Sequence, residues 1–378
     1  INSRRPRMSK AAELAALIGS QTAQGNKNLV KNGAMTINQR GTQTGVRNSY
    51  GVDRFKIAGV GAQLFTYSQS TTVPSGQGFS YSTKLDVTTA DTSLAAGDYA
   101  FFRQRFEGQD FQHLKYGTSD AESLTLQFWV RSPKTGTHIV ELYHQDAAYA
   151  NGQAYTITTA NTWQKVVLTF VGYQTTAITN DNTVGFNVQW WLMAGSTYSS
   201  GTLASNTWHN VTSGAANRAV GQVNVVDSTS NEFYITGVQL EIGDVATAFE
   251  HEDIGTTLAK CQRYYTIEKA GTGGVYKRLA LGQCQDSTSA GFILSLSTPL
   301  RGTPTLETSG NSNHYQTYSA GAVDTLTGIL LTSDSDAGTY NHNIAFNVTV
   351  SSGLVAGDGT ELVTNNNASY YLAFDAEL

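Results

Sequence analysis

The sequence predicts a mainly β protein. Its parts are an N-terminal arm and short helix (1–28), a jelly-roll β-sandwich (29–250), a helical connector (251–266) and a second, smaller C-terminal β-sandwich (267–378). Three observations carry this reading. Ser, Thr, Asn and Gln supply 126 of the 378 residues, whereas charged residues make up only 14 %, against about 25 % in an ordinary soluble domain. Thr, Tyr and Phe are abundant, and β-branched and aromatic side chains suit a pleated, half-buried surface. Short apolar–polar runs recur between clusters of Gly, Ser, Asn and Asp, as in all-β folds.

The first element is the only helix of the N-terminal half. Ser9 can cap it, Glu13 lies in its first turns, and Ala11, Leu14, Leu17 and Ile18 recur at helical spacing before Gly19 stops it. A helix of about 11 residues is marginal alone in water. Leu14, Leu17 and Ile18 are therefore assigned to assembly, as a stripe seeking a partner. Gln21–Asn28 reads as a linker.

Strands follow at Ala100–Phe106, Leu124–Val130, Thr137–Tyr143, Gln164–Val171, Gly185–Met193 and Glu232–Ile242, the spacing of a sandwich or jelly roll. Asp253–Tyr265 is a second helix with Ile254, Leu258, Cys261 and Tyr265 on one stripe. Tyr276–Gln285, Gly291–Ser297, Leu326–Leu331, His342–Val350 and Tyr370–Glu377 are strands of the C-terminal domain. No repeat period argues for a long parallel β-helix.

Several function classes are set aside by composition and motif. Net charge is -5 and the pI near 5.8, so no global basic field points to nucleic acid. No apolar run reaches the roughly 18 residues that cross a membrane as a helix, and no apolar signal core follows the basic Ile1–Arg7. Cys261 and Cys284 read as two isolated thiols. The seven histidines form no zinc spacing, and no nucleophile elbow, phosphate loop or dinucleotide fingerprint is present. Gly271–Gly274 reads as a hairpin, and the acidic pairs Asp334/Asp336 and Glu250/Glu252 as solvated turns. No enzyme, metal or cofactor is expected.

Strand alternation supplies the sharpest candidates. Leu124, Leu126, Phe128 and Val130 share one face, with Gln127, Trp129 and Arg131 on the other; Phe186, Val188, Trp190 and Leu192 share one face, with Asn187, Gln189 and Trp191 opposite. An aromatic ring among amide and guanidinium donors suits a sugar, whose C–H face packs on the ring while hydroxyls pair with amides. Cover by a loop or by a neighbouring subunit suits the same residues. Trp163 reads as edge packing, and Tyr149, Tyr155 and Trp208 as weaker loop candidates.

Residues 8 to 378 resemble tail-fibre and related appendage proteins of tailed bacteriophages. The resemblance rests on Asn28–Met35, Asn38–Gly41 and Asp53–Phe55, on Val238–Gly243 with Ala248–Glu250, and on Leu258–Tyr265, Leu300–Leu306 and Phe374–Leu378, in that order. It implies a non-enzymatic structural virion protein with a jelly roll similar to carbohydrate-binding modules. Such a protein is usually a homotrimer, docked to other virion proteins through its N-terminal arm and often contacting host-surface glycans. The alternatives are an architectural fibre or adaptor that binds no glycan, and a polysaccharide-degrading tailspike. Related sugar-binding modules hold a structural calcium where Asn32 and Glu241 fall here, but no acidic cluster accompanies them.

Overall fold

The structure is a computed structural model that describes residues 27–212, 215–269, 276–310, 312–332, 342–366 and 369–378. The N-terminal helix with Leu14, Leu17 and Ile18, the Gly271–Gly274 turn and the Asp334/Asp336 pair lie outside the described residues. Two compact units divide at Glu252/Asp253.

In the first unit, sheet I has the order β1 (Gln43–Val46), β4 (Leu64–Ser70), β5 (Ser82–Thr89), β13 (Glu232–Ile242), β7 (Leu124–Arg131), β10 (Gln164–Phe170). Sheet II runs β12 (His209–Asn210), β9 (Tyr149–Ile157), β8 (Gly136–His144), β11 (Val184–Ala194), β6 (Tyr99–Glu107), β3 (Phe55–Val60), β2 (Ser49–Tyr50). The ladders are antiparallel. β4, β5 and β9 were not read as strands from the sequence, because Thr, Ser, Gln and Gly dilute their apolar residues. Their inner positions nevertheless carry Phe65, Tyr67, Leu85, Val87, Tyr155 and Ile157, all in the core.

The faces follow from period-two alternation. Leu124, Leu126, Phe128 and Val130 of β7 and Phe186, Val188, Trp190 and Leu192 of β11 are fully buried in one core between the sheets. Trp190 bridges it, with its ring centroid 5.5 Å from Phe128 of sheet I and 5.9 Å from Phe102 of sheet II.

The segment after Lys27 is clasped to β13. Leu29 N–H donates to the Leu240 carbonyl, Val238 N–H donates to the Gly33 carbonyl, and the Asn28 side chain binds both Leu240 N–H and the Val238 carbonyl. A Cβ at Gly33 would lie 2.0 Å from the Val238 oxygen, so this close approach requires glycine. Asn32, at φ 59°, is buried and bonded through its amide to Ile37 and to the Asp53 carbonyl.

The second unit begins with α2 (Ile254–Gln262), capped by the Asp253 carboxylate, which accepts from Gly255 and Thr256 N–H. It is shorter than expected because Tyr265 already starts β14 (Tyr265–Lys269). Its buried residues are Thr257 and Cys261; Ile254 is 64 % exposed, which corrects the predicted stripe by placing the first turn outside the packed face. A three-stranded sheet sets β22 (Tyr371–Asp375) between β14 and β17 (Thr305–Thr308). The other six strands close into a barrel: β15 (Arg278–Cys284), β16 (Ser289–Ser295), β20 (Asn343–Val350), β19 (Ala322–Leu331), β18 (Tyr315–Ser319) and β21 (Gly359–Thr364). This all-β unit is thus a barrel with a small sheet, where two open sheets were expected. β21 pairs with β15 as well as β18, and closure removes two edges that an open sheet would expose. Phe292 and Phe346 stack at 5.7 Å in its core, and Cys261 and Cys284 are free, buried thiols.

One buried titratable group makes the first unit acid-sensitive. His138, fully buried on β8, stacks on Tyr155 at 5.4 Å and donates from Nε2 to the Lys134 carbonyl. Burial lowers its pKa from 6.5 to about 4. The folded chain therefore refuses a proton that the unfolded chain accepts. The stability held by this neutral ring is complete above pH 6.5 and is lost as pH falls toward 4, by about 3 kcal/mol. His144, also lowered by burial, adds to the same slope. Urea titrations at pH 7.5 and 4.5 should show this loss, and a His138→Gln variant should show a shallower one.

Candidate functional site

The outer face of sheet II gathers the densest polar and aromatic set. Since Phe102 and Phe106 of β6 point into the core, Phe101, Arg103 and Arg105 point outward. Asn187, Gln189 and Trp191 of β11 and Ile139, Glu141 and Tyr143 of β8 do the same. Register lines them up in rows. Gln189 sits between Arg103 and Glu141, Asn187 between Arg105 and Tyr143, and Trp191 beside Phe101. β3 adds Lys56 opposite Arg103.

One end of this face is aromatic. Tyr99 stacks on Phe101 at 5.1 Å, Phe101 meets Trp191 edge-on at 5.5 Å, and Trp191 meets Tyr198 of the short helix α1 (Ser196–Ser199) at 5.4 Å. Trp191 is fully buried in a satellite cluster with Ala58, Phe101, Ile139 and Ala219, and Tyr198 and Leu203 pack against that cluster. Its indole is therefore a floor and not an open stacking surface; Asn187 and Gln189 are buried as well, so the predicted sugar platform is corrected at all three residues of β11.

The middle of the face is held by charge. The Arg218 guanidinium lies 5.2 Å over the Trp191 ring and 5.4 Å over Tyr143. Its Nε donates to Glu141 Oε2 at 2.9 Å, and a second guanidinium nitrogen and Gln189 Nε2 both donate to Glu141 Oε1. Burial works against the charge of Arg218, but the Glu141 carboxylate outweighs it and raises its pKa. Arg103 differs. It lies 5.1 Å over Phe101 and forms no ion pair among the described residues. Burial and then the neighbouring Arg105 lower its pKa to about 10. Arg103 Nε, Asn187 Oδ1 and Trp191 Nε1 are buried atoms without a hydrogen-bond partner.

The other three predicted residues lie elsewhere. β7 belongs to sheet I, so Gln127, Trp129 and Arg131 face the opposite side of the sandwich from Asn187, Gln189 and Trp191. The six therefore do not converge, because each strand turns its apolar face to the shared core and its polar face away from the other. Gln127 is buried under the 244–250 segment and donates to the Thr247 carbonyl at 2.7 Å. Trp129 is half-buried beside Gly237, where a Cβ would lie 2.6 Å from the Phe79 ring. Arg131 donates to the Asn161 carbonyl, lies 4.8 Å over Tyr234 and faces Glu232. Arg103, Arg105, Tyr143 and Arg218 were not among the candidates. The alternation Phe102–Arg103–Gln104–Arg105–Phe106 carries the signal for the two arginines, whereas Arg218 arrives from a loop that no periodicity places.

The residues at the family's calcium position do not fit a metal. Asn32 Oδ1 accepts from Ile37 N–H, and both Glu241 oxygens accept from Thr247, with Gln239 donating to one of them. Among the described residues no group of three His, Cys, Asp or Glu side chains could hold a metal ion. Glu250 of the predicted Glu250/Glu252 pair accepts from Asn28 N–H at 2.8 Å.

No protein-family model matches the chain, and no curated protein does. Solved structures do. The enzymatically active domain of bacteriophage CBA120 tailspike protein 4 aligns at 15 % identity over 57 % of this chain, with a TM-score of 0.31. This chain spans only 22 % of that tailspike chain. A putative sugar-binding protein from Bacteroides thetaiotaomicron aligns at 11 % identity over 57 % of this chain and 100 % of its own, with a TM-score of 0.30. A family 11 carbohydrate-binding module of a Clostridium thermocellum cellulosomal cellulase aligns at 12 % over 56 % of this chain and 98 % of its own, at 0.26.

Removing one partner of a buried pair leaves an uncompensated charge. Arg218→Ala should destabilise the first unit by about 3–5 kcal/mol. Arg218→Met combined with Glu141→Gln should cost less than the sum of the two single changes, measured as a double-mutant cycle in chemical denaturation.

Proposed function

We propose that this protein is a non-enzymatic structural virion protein, a phage tail fibre or similar appendage, that contributes to host recognition by presenting the outer face of sheet II to a host-surface glycan. The observation that carries the reading is the combination on that face of two unpartnered polar atoms, Asn187 Oδ1 and Arg103 Nε, with the half-buried Tyr143 ring beside a buried aromatic floor. Amides and guanidinium groups supply the donors and acceptors that sugar hydroxyls need. Trp191 supports the face from beneath, while Trp129 and Arg131 offer a second, smaller contact on sheet I. The absence of catalysis is supported by the state of Glu141. A general acid needs a carboxyl free to exchange its proton, and this one is clamped by Arg218 and Gln189.

Purified protein should bind intact host cells and lose that binding once surface polysaccharide is stripped. Tyr143→Ala should reduce binding about tenfold, the loss of one ring contact with a sugar, and no reducing ends should be released. No binding under either condition would favour the architectural alternative.

We propose self-association as a homotrimer as well, with the N-terminal arm docking to other virion proteins. Support for self-association comes from the barrel exterior. Leu281 (70 % exposed) pairs with Ile293 (61 %), Tyr318 pairs with Val323, and Glu361 joins Leu281 to Tyr318 across β21. An exposed apolar stripe of this kind marks an interaction surface. Light scattering should give a trimeric mass, and Leu281→Glu with Ile293→Glu should lower it. A monomeric mass for the unmodified chain would overturn this part of the proposal.

A further inference from the structure

We infer that the sheet II face selects an anionic saccharide, one that carries a carboxylate or a phosphate, and that Arg103 is the residue that meets the negative group. The inference rests on the glycan-binding reading and goes beyond it by naming the charge of the ligand.

Charge on this face runs against the rest of the molecule. The chain carries a net charge of -5, yet Lys56, Arg103, Arg105 and Arg218 all point from this one face, against Glu141 and, at the strand end, Glu107. Glu141 is taken up by Arg218, and Glu107 accepts from Gln109. Arg103 is left among like charges: Lys56 stands opposite it on β3, and Arg105 follows two residues on along the same face. Its aromatic neighbours are Phe101 beneath it and Tyr50 and Tyr99 nearby. Tyr50 in turn lies under the Lys56 ammonium at 5.0 Å.

A half-buried guanidinium with no ion pair carries a desolvation cost that a bound anion would offset. Burial first, and then the neighbouring Arg105, lower the pKa of Arg103 to about 10, although the group remains charged at neutral pH. A neutral sugar needs only uncharged donors and acceptors, so it gives no reason for a half-buried Arg103 without an ion pair. A carboxylate or phosphate does, because a guanidinium offers it two parallel N–H bonds of fixed geometry. The buried Arg103 Nε has no partner, and the Asn187 Oδ1 nearby is a vacant acceptor for a neighbouring sugar hydroxyl. Anion contact and hydroxyl contact thus lie side by side on adjacent strands.

The test is calorimetric titration of the full chain with trigalacturonate, a mannose-6-phosphate oligosaccharide and neutral galactotriose, at low and high NaCl. At least one anionic probe should bind about tenfold tighter than galactotriose, with an affinity that falls as salt rises. Arg103→Gln should abolish that preference, so that the anionic probe binds this variant no more tightly than galactotriose does. Arg103→Lys should retain an intermediate, salt-sensitive affinity, because it keeps the charge and loses the fork. An unchanged thermal transition in both variants ties the loss to the contact and not to unfolding. The difference between the uronate and phosphate probes identifies which anion the face prefers. Equal binding of all three probes, unaltered in Arg103→Gln, would overturn the selectivity and leave the glycan-binding face standing. No binding of any probe would overturn both.

Discussion

The first unit depends on one constraint, the strict alternation of β11 between two environments. β11 lies in the middle of sheet II, paired on both sides, with β8 and with β6. Consecutive side chains in a strand must leave opposite faces, so the adjacent indoles Trp190 and Trp191 part company. Trp190 fills the space between the sheets against Phe102 and Phe128. Trp191 goes outward and becomes the floor on which Arg218 and the α1 segment rest. A slip of one residue would exchange Asn187 and Gln189 with Val188 and Trp190 and put amides into the core. Core and candidate site are therefore specified by the same eight or so residues, and neither can be altered in register without the other.

The low charge content has a structural counterpart. Uncharged side chains meet one buried carboxylate of the sandwich: Gln239, Gln127 and Thr247 surround Glu241. Neutral donors satisfy a buried carboxylate without the desolvation of a second ion. The Glu141–Arg218 pair is an exception in the sandwich. It stands on the face where the guanidinium also covers two aromatic rings, so one side chain neutralises the carboxylate and closes the aromatic end.

The second unit reaches stability by another route. It is smaller, and a small all-β unit has proportionally more edge to protect. Closing six strands into a barrel and placing β22, near the C-terminus, in the centre of the three-stranded sheet pairs strands that would otherwise lie open. Part of its barrel exterior stays apolar, on β16 and β15 and again on β18 and β19, with Glu361 of β21 between the two pairs.

By itself the sequence determined which class of fold forms and which way the strongest strands face. β13 has the predicted bounds Glu232–Ile242, and β7 and β11 turn to the core the residues that alternation assigns to it, because burial of one face is a local, periodic signal. Asp253 at the start of α2 was readable for the same reason, since a cap is a matter of neighbouring residues. Tertiary structure alone decided which sheet each strand joins. Alternation says that Trp129 and Trp191 both point away from apolar faces, but not that those faces are opposite sides of one sandwich. It also decided that Arg218, about 77 residues from Glu141 in sequence, would clamp that carboxylate, and that the last strands would close into a barrel. Pairing partners and loop cover depend on contacts between distant segments, and these carry no period along the chain from which they could be read.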